Sequence, residues 1–168
     1  MKLYEKLIII FLALSVLIAY YIVFVKWMPS SKPYNKHEFW FGMNSKFINF
    51  IIVFQILAAL GFLISVINWF IKPPTDGILS HNNILFIILS VFLIGSIGWP
   101  FLVYFKKPIW VVISLILVAI ASIVLLAGSV EDKNPRLHIM ISMLFLCLIT
   151  VLVDGVMWNA TYIKSLLK

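Results

Sequence analysis

The sequence predicts an all-α integral membrane protein, a bundle of five transmembrane helices, and three observations lead there. Five apolar runs, Leu7–Val25, Phe47–Ile71, Ile84–Phe105, Ile109–Leu126 and Ile139–Ile163, fill most of the 168 residues. Each comes close to or exceeds the ~20 residues an α-helix needs to cross hydrocarbon roughly 30 Å thick. Between them they hold one formal charge, Asp154. Composition agrees: 64% of residues are hydrophobic, 11% are charged and the mean hydropathy is +1.13, against about 45–50% apolar residues in soluble domains. Backbone in lipid must satisfy its own hydrogen bonds, which leaves helices or closed barrels. The runs are continuous rather than alternating, and that selects helices.

The connections are too short to hold another fold, so residues 1–168 are read as one domain. The first run follows Lys2 and Lys6 but stays apolar to Val25, meets Lys26 and Trp27, and shows no small-residue cleavage pattern. It is read as a retained helix rather than a signal peptide. Trp27-Met28-Pro29 marks its end. The first loop then carries Tyr34, Phe39, Trp40 and Phe41 among Lys32, Lys36, His37 and Glu38. Rings of this kind are stable in the headgroup layer or packed on a bundle.

The second run holds Asn49, Gln55, Ser65 and Asn68, with Ala58, Ala59 and Gly61 allowing close helix approach. Pro73-Pro74 and Asp76-Gly77 make the next turn. Pro100 in the third run predicts a kink near Trp99. Lys106-Lys107-Pro108 is the shortest connection. Ser114, Ala119, Ala121 and Ser122 give the fourth run a weakly polar stripe, and Glu131-Asp132-Lys133-Asn134-Pro135 turns the chain into the fifth.

The net charge of +7 is read as topology, not as nucleic-acid binding. Alternating five spans places Lys26, Lys32, Lys36, Lys46, Lys106, Lys107, Lys164 and Lys168 on one side. Lys2, Lys6, Lys72, Lys133 and Arg136 fall on the other. The positive-inside rule then puts the N-terminus outside or in a lumen and the C-terminus in the cytoplasm.

Asp154 is the sharpest single residue. A carboxylate inside a span costs roughly 2.5–3.5 kcal/mol on insertion scales and faces the bundle or a cavity. One reading makes it a polar anchor in a ligand cavity or a proton or ion relay. The other makes it a structural hydrogen bond to Gln55 or Ser96. Trp158 follows four residues later on the same helix face. Trp99 and Trp158 serve either as pocket walls or as interfacial anchors. His37, His81 and His138 lie in separate loops, no His, Cys and carboxylate set has metal-ligand spacing, and no nucleophile–base set or phosphate loop stands out. Catalysis, a metal and a cofactor are therefore not expected, and the single Cys147 makes no intramolecular disulfide.

Three motifs carry a family resemblance. They are Lys32-Pro33 followed by Trp40-Phe41-Gly42, then Gly98-Trp99-Pro100 shortly before the Lys106-Lys107-Pro108 turn, and Asp154-Gly155-Val156-Met157-Trp158. With five helices and a long aromatic first loop, they resemble the translocator protein family (TspO/MBR, the peripheral benzodiazepine receptor group). That family has a Lys-Pro and Trp-rich first loop, an Ala-Trp-Pro/Ser motif in helix three and an Asn-x-x-x-Trp motif in helix five. Here Asp154 replaces the asparagine, Lys36-His37-Glu38 replaces the paired prolines, and Ser96-Ile97 replaces an asparagine-tryptophan. The resemblance implies a five-helix protein binding a tetrapyrrole or sterol, with Trp40, Trp99, Pro100, Asp154 and Trp158 as ligand contacts. The partners this reading expects are the lipid bilayer, such a ligand and a second copy of the chain in a homodimer. The alternatives are a membrane scaffold or assembly protein without a cavity, and a small transporter unit using Asp154.

Overall fold

A computed structural model describes residues 1–27, 45–132 and 136–166. Among them there are five long helical rods and no strand. Helix α1 (Leu3–Tyr20) continues into a π-helical stretch, Tyr21–Trp27. Helix α2 (Ser45–Ile71) is followed by a 3₁₀ turn at Ile78–Ser80. Helices α3 (Asn82–Tyr104) and α4 (Pro108–Glu131) form a hairpin. Helix α5 (Leu137–Leu148) widens into a π-helical stretch, Ile149–Trp158, and returns to α-helix over Asn159–Leu166. The first loop, including Trp40 and the Lys32-Pro33 and Trp40-Phe41-Gly42 motifs, lies outside the described residues, as do His37 and Lys133-Asn134-Pro135.

Each rod offers a span of 22–25 apolar residues, as the five runs predict. Their outward faces carry large apolar side chains, with Phe11 69%, Leu17 67% and Ile109 72% exposed. Water would penalise such a surface, whereas lipid tails cover it without cost. The class predicted from the sequence therefore holds: the chain is a multi-pass integral membrane bundle.

Three expectations are corrected. Helix α4 does not stop at Leu126 but runs on to Glu131, because Gly128 and Ser129 are buried there and a side chain at Gly128 would collide with Leu79. Helix α1 begins at Leu3 rather than Leu7, taking Glu5 and Lys6 into its first turn. His138 belongs to the first turn of α5 rather than to a loop.

The helices pack in the spatial order α1–α3–α4–α5–α2. The α3–α4 pair is the most extensive, and its closeness comes from Gly95. A Cβ there would stand 2.6 Å from Val118 Cγ2 and 3.2 Å from the Ser114 carbonyl oxygen. Ser114 Oγ donates to the Gly95 carbonyl at 2.9 Å across the same contact. The order leaves α1 and α2 at its two ends, without an extended packed seam between them. Polar contacts join them at the N-terminal end of α1. Lys6 Nζ donates to the Phe70 carbonyl at 2.7 Å and lies 5.7 Å from the Phe70 ring centre. Arg136 donates to the Lys72 carbonyl at 2.9 Å from α5. Two cations thus satisfy the free carbonyls at the end of α2, where the helix dipole also favours positive charge. Deeper in the bundle, Phe62 of α2 stacks on Phe92 of α3 at 4.8 Å.

One carboxylate was not anticipated as buried. Glu5 is only 4% exposed and accepts from the Lys2 backbone N–H at 2.7 Å, satisfying one free donor at the start of α1. The opposite end of the α3–α4 hairpin turns through a left-handed residue, Lys106 (φ 53°). Its N–H donates to Val103 O at 3.0 Å, and the Lys107 N–H donates to Leu102 O at 2.9 Å. This paired closure of a helix C-terminus usually carries glycine at the left-handed position.

Two predictions follow from this packing. Lys106→Gly relieves the left-handed strain and should raise stability by about 0.5–1 kcal/mol, read as a higher apparent Tm in detergent. Gly95→Ala should cost about 1–3 kcal/mol through overpacking. Gly98→Ala, whose added Cβ finds nothing closer than 3.7 Å, should be neutral or slightly stabilising, and the same melting assay compares the two.

Candidate functional site

Of the residues singled out by the sequence, Trp99, Pro100, Asp154 and Trp158 fall at one depth of the bundle, joined there by Tyr20, while Trp40 lies outside the described residues. Tyr20, Trp99 and Asp154 each lie seventeen residues beyond the first residue of their helix, respectively Leu3, Asn82 and Leu137. These three helices run in the same direction, and at 1.5 Å per residue the layer sits roughly 25 Å from their starts. Gln55 meets it from the antiparallel α2, sixteen residues before Ile71. The end of the bundle nearest this layer carries the exposed Lys26, Lys106, Lys107 and Lys164.

Asp154 is half-buried, and its Oδ1 accepts from Gln55 Nε2 at 3.3 Å, joining α5 to α2. Of the two partners expected for it, Gln55 is present. Ser96 instead donates to the Phe92 carbonyl of its own helix at 2.8 Å. No donor among the described residues reaches the second carboxylate oxygen, and no cationic side chain among them pairs with Asp154.

The tryptophans are inside the bundle, not at its rim. Trp99 is 5% and Trp158 1% exposed, and their rings meet edge to face with centres 5.7 Å apart. Pro100 is fully buried beside Trp99 in the chain. The indole N–H of Trp99 donates to the Tyr20 hydroxyl at 2.9 Å, tying α3 to α1. Tyr20 also packs on Phe24 at 5.4 Å, and Phe24 stands 6.1 Å from Trp99. Tyr20 is within electrostatic reach of Asp154. The layer thus brings Trp99, Asp154 and Trp158 together and adds Tyr20, Phe24 and Gln55.

Tyr20 and Phe24 were missed by the sequence reading. The only signal was two aromatic residues four apart near the end of an apolar run, indistinguishable there from lipid-facing rings.

The helix carrying Asp154 is locally widened for identifiable reasons. Thr150 Oγ1 donates back to the Leu146 carbonyl at 2.9 Å and lies 2.6 Å from Ser122 Oγ of α4. Hydroxyls bonded to the preceding turn bend and loosen helices. Gly155 lets the widened turn lie against α4, where an added Cβ would be 3.5 Å from Ala119 Cβ and 3.1 Å from the Thr150 carbonyl.

Chemically, the layer offers an apolar aromatic wall, a carboxylate with one open oxygen and a phenol whose hydrogen has no acceptor among the described residues. Among the described residues no three His, Cys, Asp or Glu side chains cluster as a metal site. Fold and layer together define a five-helix membrane bundle with a polar and aromatic interior. Comparison with protein-family models, with characterised proteins and with solved structures found no match.

The Trp99–Tyr20 bond is testable by a double-mutant cycle. Trp99→Phe and Tyr20→Phe should each lower stability, and the double variant should fall short of their sum by about 1 kcal/mol, measured by denaturation in detergent.

Proposed function

We propose that this bundle binds an amphipathic small molecule within the bilayer, its apolar body against Tyr20, Phe24, Trp99 and Trp158 and its polar group on Asp154. The observation carrying the reading is the convergence, at one depth, of Gln55–Asp154 and Trp99–Tyr20 from four different helices. Tyr20, Gln55 and Asp154 are half-buried, so the polar side of the layer is accessible while the tryptophans behind it are not. The resemblance to translocator proteins names tetrapyrroles and sterols as the first classes to try. Trp40, as a first-loop contact, belongs to the same proposal. In the orientation proposed here, the lysine-rich end lies in the cytoplasm and the ligand layer sits below that face.

A structural reading is favoured by one observation, the 3.3 Å bond from Gln55, which makes Asp154 a clasp between α2 and α5. The two readings part in a thermal-shift experiment. A ligand that binds only the native state stabilises it by about 2.7 kcal/mol at 100 times its Kd. Protoporphyrin IX and cholesterol, tested on the detergent-solubilised chain, should raise the apparent Tm in at least one case. Trp99→Ala and Asp154→Ala should abolish that shift while the variants still insert. An unchanged shift in both variants removes this layer as the site.

A further inference from the structure

The open atoms of the layer specify the charge of what it holds. Asp154 has one oxygen occupied by a neutral amide and the other without a donor among the described residues. No lysine, arginine or histidine among them pairs with it. A carboxylate in a low-dielectric interior is stable only when a positive charge or a proton accompanies it. Beside it lie aromatic rings, Tyr20 and Phe24 half-buried and Trp99 and Trp158 buried behind them. Tyr20, Phe24, Trp99 and Trp158 form an unbroken series of ring contacts with centres 5.4–6.1 Å apart. The interplanar angles of 48–83° along it turn successive rings in different directions. Electron-rich faces beside a carboxylate are the chemistry that recognises organic cations, quaternary ones included.

Access is provided by the same packing. Among the described residues, α1 and α2, which supply Tyr20 and Gln55, have no extended packed seam between them. Their polar tie lies at the far end of α1, at Lys6 and Phe70. An apolar tail can therefore lie between α1 and α2 toward the lipid while the head reaches Asp154.

We infer that the Asp154 layer is a site for a lipophilic organic cation, the positive centre held between the Asp154 carboxylate and the half-buried Tyr20 and Phe24 rings of α1. This deepens the binding reading above and rests on it. It also sets the site against anionic tetrapyrroles, whose carboxylates would meet Asp154 with like charge.

The test uses the full chain in a non-ionic detergent with three probes: tetraphenylphosphonium, the neutral triphenylphosphine oxide and protoporphyrin IX. Isothermal titration should show saturable binding of tetraphenylphosphonium, at least about tenfold tighter than the neutral probe. Asp154→Asn keeps an acceptor for Gln55 and should weaken the cation about tenfold or more without lowering Tm. Asp154→Glu should restore much of the loss. Equal affinity for the neutral probe, or cation binding indifferent to Asp154→Asn, overturns the charge assignment. Protoporphyrin binding that depends on Trp99 would overturn it too, yet would leave the binding reading intact. If none of the three probes, nor cholesterol, binds, both fall.

Discussion

In hydrocarbon a polar group has no water to fall back on, so a hydroxyl, amide or carboxylate inside these spans is costly unless it finds a partner within the protein. Most find it locally. Ser15, Ser65, Ser96, Ser129 and Ser142 each donate to the carbonyl four residues earlier, as do Asn68 and Asn159 through their amides. Such bonds satisfy the group without tying one helix to another. A smaller set reaches across: Ser114 to Gly95, Ser122 with Thr150, Trp99 to Tyr20 and Gln55 to Asp154. Association in lipid draws on packing and such bonds rather than on a hydrophobic force, so these few contacts fix how the rods meet.

Their placement divides the bundle. The α3–α4 hairpin is the rigid part, with backbone brought close at Gly95 and the turn closed at Lys106. At the N-terminal end of α1, Lys6 and Arg136 cap the last carbonyls of α2 and hold it to α1 and α5. Between that capped end and the lysine-rich end, α1 and α2 are joined through side chains of other helices rather than through each other. The hairpin supplies Trp99, while one π-helical stretch begins just after Tyr20 and the other contains Asp154.

Much of this was legible in the residues. Hydrocarbon thickness fixes span length, so the five helices could be drawn with bounds within a few residues, α4 excepted. The cost of a carboxylate in lipid made Asp154 conspicuous and made Gln55 a natural partner. Spacing put Trp158 on the Asp154 face, and Pro100 marked the segment that presents Trp99. Other features left no trace in periodicity. An aromatic ring in an apolar run reads alike whether it faces lipid or interior, so Tyr20 and Phe24 went unnoticed. Widened turns arise from Thr150 bonding back to its own helix and from how Gly155 fits α4, which are tertiary matters. Glu5, two residues before the first apolar run, is buried by the helices around it, which nothing in the run's pattern signals.

The carboxylate at position 154 is more than a clasp requires. Its insertion costs roughly 2.5–3.5 kcal/mol, and a hydrogen bond to a charged group returns about 1.5–3 kcal/mol at good geometry. The bond here is long at 3.3 Å and comes from a neutral amide, so its return lies toward the lower end. An asparagine would accept the same bond from Gln55 at a smaller desolvation cost, and an apolar pair of similar volume would often hold α2 to α5 as well or better. Structural economy alone therefore disfavours aspartate. What aspartate supplies and asparagine does not is negative charge, beside the half-buried Tyr20 and Gln55. The property that makes residue 154 expensive for folding is the one on which the proposed cation site rests.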